Sequence, residues 1–309
     1  IVLRNDGTRF TDVTAAFAPD FERCGMVSDL FWANVDADQQ PELIAVGEWM
    51  PVSVFKLKDN KLQNVTASFG LDKSNGLWSR LAVADLDGDG DQDLVTGNLG
   101  LNTRFQASAD APLRCYAKDF DNNGTLDPIV AYTENGKLYP WVQKEVLNKQ
   151  MPILKKKFLY AKDYGNATID QVWPQKDLDA ALNLYCYTVE TCWWENQGGK
   201  FVRHELPIQA QTSVVQGIIV DDFNSDGKID ILLAGNKYGF EVETNRCDAG
   251  IGALLIGDGK GNFSWLNNVE TGFWANREAR DLLLLNGKGG KHIIVVSNNN
   301  SAPQVFGSK

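Results

Sequence analysis

Three acidic loops in this chain place oxygen-bearing side chains at one spacing. They are Asp85-Leu-Asp87-Gly-Asp89-Gly-Asp91-Gln-Asp93, Asp119-Phe-Asp121-Asn-Asn123-Gly-Thr125-Leu-Asp127 and Asp222-Phe-Asn224-Ser-Asp226-Gly-Lys228-Ile-Asp230. All reduce to D-x-[DN]-x-[DN]-G-x-x-D. Side chains at positions 1, 3, 5 and 9 can curl around one point, and position 7 can add its backbone carbonyl. That donor set suits a hard cation with roughly 6–8 oxygen ligands, Ca²⁺ above all. Glycine at position 6 permits the sharp turn, because it tolerates positive φ. The plain alternative is an acidic turn without metal. Three matching loops, each dense in mutually repelling carboxylates, favour the metal. The reading therefore assigns about three Ca²⁺ ions to Asp85, Asp87, Asp89, Asp91 and Asp93, to Asp119, Asp121, Asn123, Thr125 and Asp127, and to Asp222, Asn224, Asp226, Lys228 and Asp230.

The flanks show what positions these loops. Leu81–Ala84 precedes the first loop and Leu94–Thr96 follows it. Gly217–Val220 and Ile231–Ala234 flank the third. Short apolar runs of this kind predict β-strands. The loop resembles the first nine positions of an EF-hand loop, but an EF-hand needs a bidentate Glu at position 12 and a helix on each side. Here position 12 is Thr96, Val130 or Leu233.

The strands and loops recur along the chain. An earlier unit runs from Phe31 through Asn34-Val-Asp36-Ala-Asp38-Gln39-Gln-Pro-Glu42 into Leu43–Gly47, Val52–Leu57 and Leu62–Thr66. Position 6 of its loop is Gln39 and position 9 is Glu42, so weak calcium binding or none is expected there. Further units begin at Ser79, near Leu113, near Val214 and at Ala279. The acidic loop of the last has decayed to residues 286–291. Repetition over tens of residues points to radially repeated sheets, which leave few exposed edges. The predicted fold is all-β, a β-propeller of four-stranded antiparallel blades, with about five units visible and up to seven allowed. One propeller domain is expected over residues 1–309, as part of a longer protein. A Lys-rich stretch at about 142–182, with helical periodicity, reads as a helical insertion. Phe10–Thr14 is expected to close the last blade as its fourth strand, unless the N-terminus finishes a blade outside this sequence.

Composition narrows the function. The chain has 309 residues, 30 Lys+Arg against 40 Asp+Glu and a net charge of −10, which argues against nucleic-acid binding. No apolar run reaches membrane-spanning length. Loops of this type serve best where calcium is abundant, so an extracellular, cell-surface or periplasmic location is expected. The five cysteines leave one over from any complete pairing; Cys186 and Cys192 either pair or remain buried thiols.

The pattern Ala84–Gly97, met again at Asp222–Gly235, resembles the FG-GAP/VCBS-repeat propellers related to integrin α-subunits. Gly47-Glu-Trp-Met-Pro51, Gly97-Asn-Leu-Gly-Leu-Asn102, Leu154–Phe158, Asn166–Thr168 and Val242–Thr244 with Asp248–Gly252 resemble bacterial members that accompany ASPIC/UnbV-type domains. The resemblance implies the propeller and its calcium, with seven blades usual. It does not imply a ligand, because this fold serves many binding tasks.

Catalytic residues are sparse. The two histidines are His204 and His292, and none of the common hydrolase, zinc or phosphate-loop motifs occurs. The expected role is therefore non-enzymatic: a monomeric binding or adhesion module for a glycan or protein. A scaffold presenting a catalytic neighbour is the alternative, and a carbohydrate-active enzyme ranks last. Among the nine tryptophans, Trp173 in the insertion and Trp194 are the candidate ligand-binding rings. Adjacent Trp193 and Trp194 must point to opposite sides of a strand, so one of them is expected at the surface.

Overall fold

The computed structural model describes residues 1–36, 38–240, 245–287 and 291–307. The Val242–Thr244 motif and residues 288–290 of the decayed loop lie outside the described residues. The chain divides into two compact units, Ile1–Arg104 with Val189–Lys309, and Phe105–Thr188.

Along the chain, a hairpin of β1 (Leu3–Asn5) and β2 (Phe10–Asp12) leads into β3 (Met26–Ala33), β4 (Glu42–Met50), β5 (Ser53–Lys58) and β6 (Lys61–Asn64). These four form the first blade, and β7 (Gly76–Leu77) pairs with the end of β4. The second blade starts with β8 (Arg80–Ala84) and β9 (Asp93–Gly97). The smaller unit then intervenes with β10 (Leu113–Lys118), β11 (Asp127–Glu134), β12 (Lys137–Pro140) and β13 (Leu182–Cys186). The second blade resumes with β14 (Cys192–Asn196) and β15 (Phe201–Glu205). The third blade is β16 (Gly217–Asp221), β17 (Asp230–Ala234), β18 (Ala253–Gly257) and β19 (Phe263–Leu266). The fourth has β20 (Ala279–Asn286), β21 (His292–Asn298) and β22 (Gln304–Gly307). All these pairings are antiparallel, as expected for propeller blades.

In the larger unit the first strands of successive blades, β3, β8, β16 and β20, lie side by side. Polar groups stitch this inner row. Asp29 on β3 accepts the Leu81 amide at 3.0 Å, and Arg80 on β8 donates to the Gln216 carbonyl and, at 2.6 Å, to that of Arg280. The middle strands of the first three blades are covered on both faces. Ile44 and Val46 meet Leu81, Leu94 and Trp194, whereas Leu43 and Ala45 face the other way. Val95 and Trp193 face Ile231, Leu233 and Leu255, and Leu232 and Ala234 face Leu282 and Val296. This is the two-residue alternation of a strand with apolar partners on both sides, so the middle strands read as continuous apolar runs.

Two expectations fail. The alternation at Trp193 and Trp194 is real, but neither ring reaches solvent: they are 2% and 5% exposed, because each lies between two blades. The N-terminus does not close the last blade. Strand β2 pairs with β1 alone, and Val2, Phe17, Ala18 and Phe21 cover the outer apolar face of the first blade, with Phe21 edge-on to Phe55 at 5.3 Å.

The smaller unit holds the sheet β13-β10-β11-β12 and short helices at Lys144–Gln150, Ala161–Gly165, Ile169–Val172 and Gln175–Asp179. Tyr116, Ile129 and Ala131 of the sheet pack against Leu147, Met151, Tyr164, Val172 and Leu178 of the helical stretch. The helices expected at about 142–182 are there, but they belong to a unit that begins at residue 105 and includes the sheet near Leu113. The chain leaves the second blade after β9 and returns to pair β14 with it in the register Leu94↔Trp194. All five cysteines are free thiols, Cys186 and Cys192 included.

Trp194 donates its indole N–H to Thr96 at 3.0 Å and meets Trp78 edge-on between the first two blades. Trp194→Ala is expected to destabilise the protein by about 3–5 kcal/mol, read as a lower urea midpoint. A change within error would mean that this packing does not hold the two blades.

Candidate metal centres

Each loop follows the first strand of its sheet and ends where the second begins. All three predicted loops, and the degenerate one at Asn34–Glu42, share one wiring. The position-nine carboxylate accepts the backbone amide of position two: Asp93 from Leu86 at 2.8 Å, Asp127 from Phe120, Asp230 from Phe223 and Glu42 from Val35, each at 3.1 Å. Position three accepts the amide of position five, as Asp87 does from Asp89 at 3.2 Å and Asn224 from Asp226 at 2.9 Å. Position five accepts that of position seven, as Asn123 does from Thr125 at 2.7 Å. In the three predicted loops the first aspartate accepts the amide of the position-six glycine, at 2.8–3.0 Å. Those glycines have φ of 81° to 98°, where a side chain would be strained.

In two of the three predicted loops the result is a cluster of carboxylate oxygens. Carboxylate oxygens of Asp85, Asp87 and Asp89 lie within 4.8 Å of one another, as do those of Asp119, Asp121 and Asp127. The Asp222 loop offers an amide oxygen from Asn224 in place of one carboxylate, and Lys228 Nζ lies 3.7 Å from Asp226. Asp91 and Lys228 occupy position seven, where the backbone carbonyl would be the donor to an ion. The position-nine acids Asp93, Asp127 and Asp230 are buried, whereas the loop tips are open. Burial pushes the Asp93 carboxyl up to about 7, although the amides of Asn196 and Leu86 oppose this, and Asp87 and Asp91 add repulsion. Asp91 is pushed up to about 6, first by burial and then by the charge of Asp89. Asp230 is raised chiefly by burial. Crowded carboxylates, some of them buried, fit a divalent cation.

Several residues at these centres carry no sequence signal. Position four is left-handed in every predicted loop, at Gly88 (φ 81°), Asn122 (58°) and Ser225 (62°). Glu195 on β14 adds negative charge beside Asp87 and is bonded to His204 Nε2 at 2.7 Å. Gln150 donates to Asp127 at 2.8 Å. Asn196 joins two loops: its side-chain amide donates to the carbonyls of Val35 (2.9 Å) and Gln92 (3.2 Å), and its backbone amide to Asp93 (2.8 Å). Sheet pairing brings Glu195 and Asn196 to the site, and a helix brings Gln150. The aromatic candidates fall elsewhere. Trp173 is 4% exposed in the core of the smaller unit and Trp194 is 5% exposed between blades, so neither can contact a ligand in this fold. The exposed tryptophans are Trp32 and Trp274.

Asn196→Ala strands two backbone carbonyls that the amide now bonds. It is expected to cost about 1–3 kcal/mol in chemical denaturation, and an unchanged midpoint would mean that water replaces the amide without loss.

Comparison with known proteins adds one finding. No curated protein matches the chain. Residues 34–96, from the Asn34 loop through the first blade and the Asp85 loop into β9, match the family model of the FG-GAP-like repeat. That stretch, at least, is an FG-GAP-like repeat, as its acidic loops and blade strands lead one to expect.

Proposed function

We propose that this chain is a calcium-stabilised extracellular β-propeller module that binds a glycan or a protein. The observation that carries the reading is the common wiring of the loops around inward-facing oxygens, with a buried carboxylate at the ninth position. Asp85, Asp87, Asp89 and Asp93 would hold one ion with the Asp91 carbonyl. Asp119, Asp121, Asn123 and Asp127 would hold a second with the Thr125 carbonyl, and Asp222, Asn224, Asp226 and Asp230 a third with that of Lys228. A bound ion supplies the positive charge that these carboxylates lack, and pins the two strands that each loop joins. Loops built this way suit compartments rich in calcium. The match of residues 34–96 to the FG-GAP-like repeat supports a binding module. Exposed aromatic rings are common anchors for ligands, and Trp32 and Trp274 offer them here, at 54% and 42% exposure.

Calcium at about 100 times its Kd is expected to add roughly 2.7 kcal/mol per site. Thermal unfolding in excess calcium and in EGTA, with metal analysis of the purified protein, reads this directly. Coincident curves and no bound metal would remove calcium from the reading. For the binding role, a glycan array and a screen of extracellular proteins are expected to yield a ligand whose affinity falls at least tenfold on Trp32→Ala or Trp274→Ala, with the melting temperature unchanged. Full retention by both variants would move the site away from these rings.

A further inference from the structure

The Asn34–Glu42 loop has the wiring of the others and a different occupant. Val35 donates to Glu42, Asp38 to Asp36 at 3.0 Å and Gln40 to Asp38 at 2.7 Å, as in the three other loops. Its acids Asp36, Asp38 and Glu42 gather within 4.8 Å, as Asp85, Asp87 and Asp89 do. Into this cluster β5 sends Lys56. Its ammonium bonds Asp36, lies 2.6 Å from Asp38 and sits 3.4 Å from Glu42 Oε1. Glu42 is fully buried, and this oxygen has no hydrogen-bond donor, so Lys56 is the positive charge it faces. A buried carboxylate needs such a charge.

Sheet register shows that Lys56 is a local substitution. It stands one residue beyond the Leu43↔Phe55 pair, opposite Glu42. The corresponding places in the second and third blades, beyond Leu94↔Trp194 and Ile231↔Leu255, hold Glu195 and Ile256. Neither is a cation. The loop also lacks the aspartate at position one, where Asn34 instead donates its amide to the Asp38 carbonyl at 2.5 Å.

We infer that the Lys56 ammonium takes the place of the divalent ion in the first loop, so that the first blade is held without metal, and that removing this ammonium opens a latent calcium site on Asp36, Asp38 and Glu42. The inference rests on reading the other loops as calcium sites, but its test is a difference between variants. Calcium stoichiometry is measured by calorimetry and native mass spectrometry on the wild-type chain, Lys56→Met, Lys56→Arg and Glu42→Gln. Lys56→Met keeps the apolar stem and removes the charge. It is expected to bind one calcium more than wild type, to melt below wild type in EGTA and to regain stability in calcium. Lys56→Arg is expected to bind the wild-type number. An equal count in Lys56→Met and wild type would overturn the inference. Should Lys56→Met not fold in either condition, Glu42→Gln decides: it is expected to leave the wild-type calcium count unchanged, and a count lower by one would mean that the ion already sits there beside Lys56. A wild-type chain that binds no calcium would count against the general reading, whereas the Lys56→Met difference would still report on this loop.

Discussion

A buried carboxylate where the second strand of a sheet begins is the constraint on which the rest depends. Glu42, Asp93, Asp127 and Asp230 all occupy that place, at 0–2% exposure, and each accepts a backbone amide from the second position of its own loop. That bond folds the loop back on the strand. It also carries a negative charge into the protein, which is costly unless a cation or several donors face it. The oxygens gathered in the loop follow from this demand, and so does Lys56 in the first loop.

Each of the second and third blades is an interior layer of the larger unit. Apolar residues on both faces of β4, β9, β14 and β17 are covered, so the middle strands behave as core throughout. Such packing ties loops to one another. Gly261, in the β18–β19 turn, sits so close to Trp193 that a Cβ there would lie 2.7 Å from the indole, and 3.7 Å from Asp87 of the neighbouring loop. Asn196 likewise bonds two loops on different blades.

The second blade shows how little a sheet requires of chain continuity. Its inner two strands precede the smaller unit and its outer two follow it, yet the register across the join is regular. A strand needs a partner of matching length and pattern, whatever its distance along the chain. The smaller unit meets its own apolar demand with the helices that its sheet packs against.

What the sequence by itself determined was the local: the loop spacing, the flanking strands, the repeat and the helical stretch in the insertion. These depend on residues within about ten positions of one another and on backbone preferences that glycine, aspartate and β-branched residues express locally. The tertiary structure alone decided which strands share a blade, where the N-terminus packs, that Trp173 and Trp194 are buried, and that Lys56, Glu195, Gln150 and Asn196 stand at the loops. Each of those depends on a partner brought near by sheet register, blade packing or helix packing. A tryptophan or a lysine in a strand reads the same whether its face meets water, another blade or a cluster of acids.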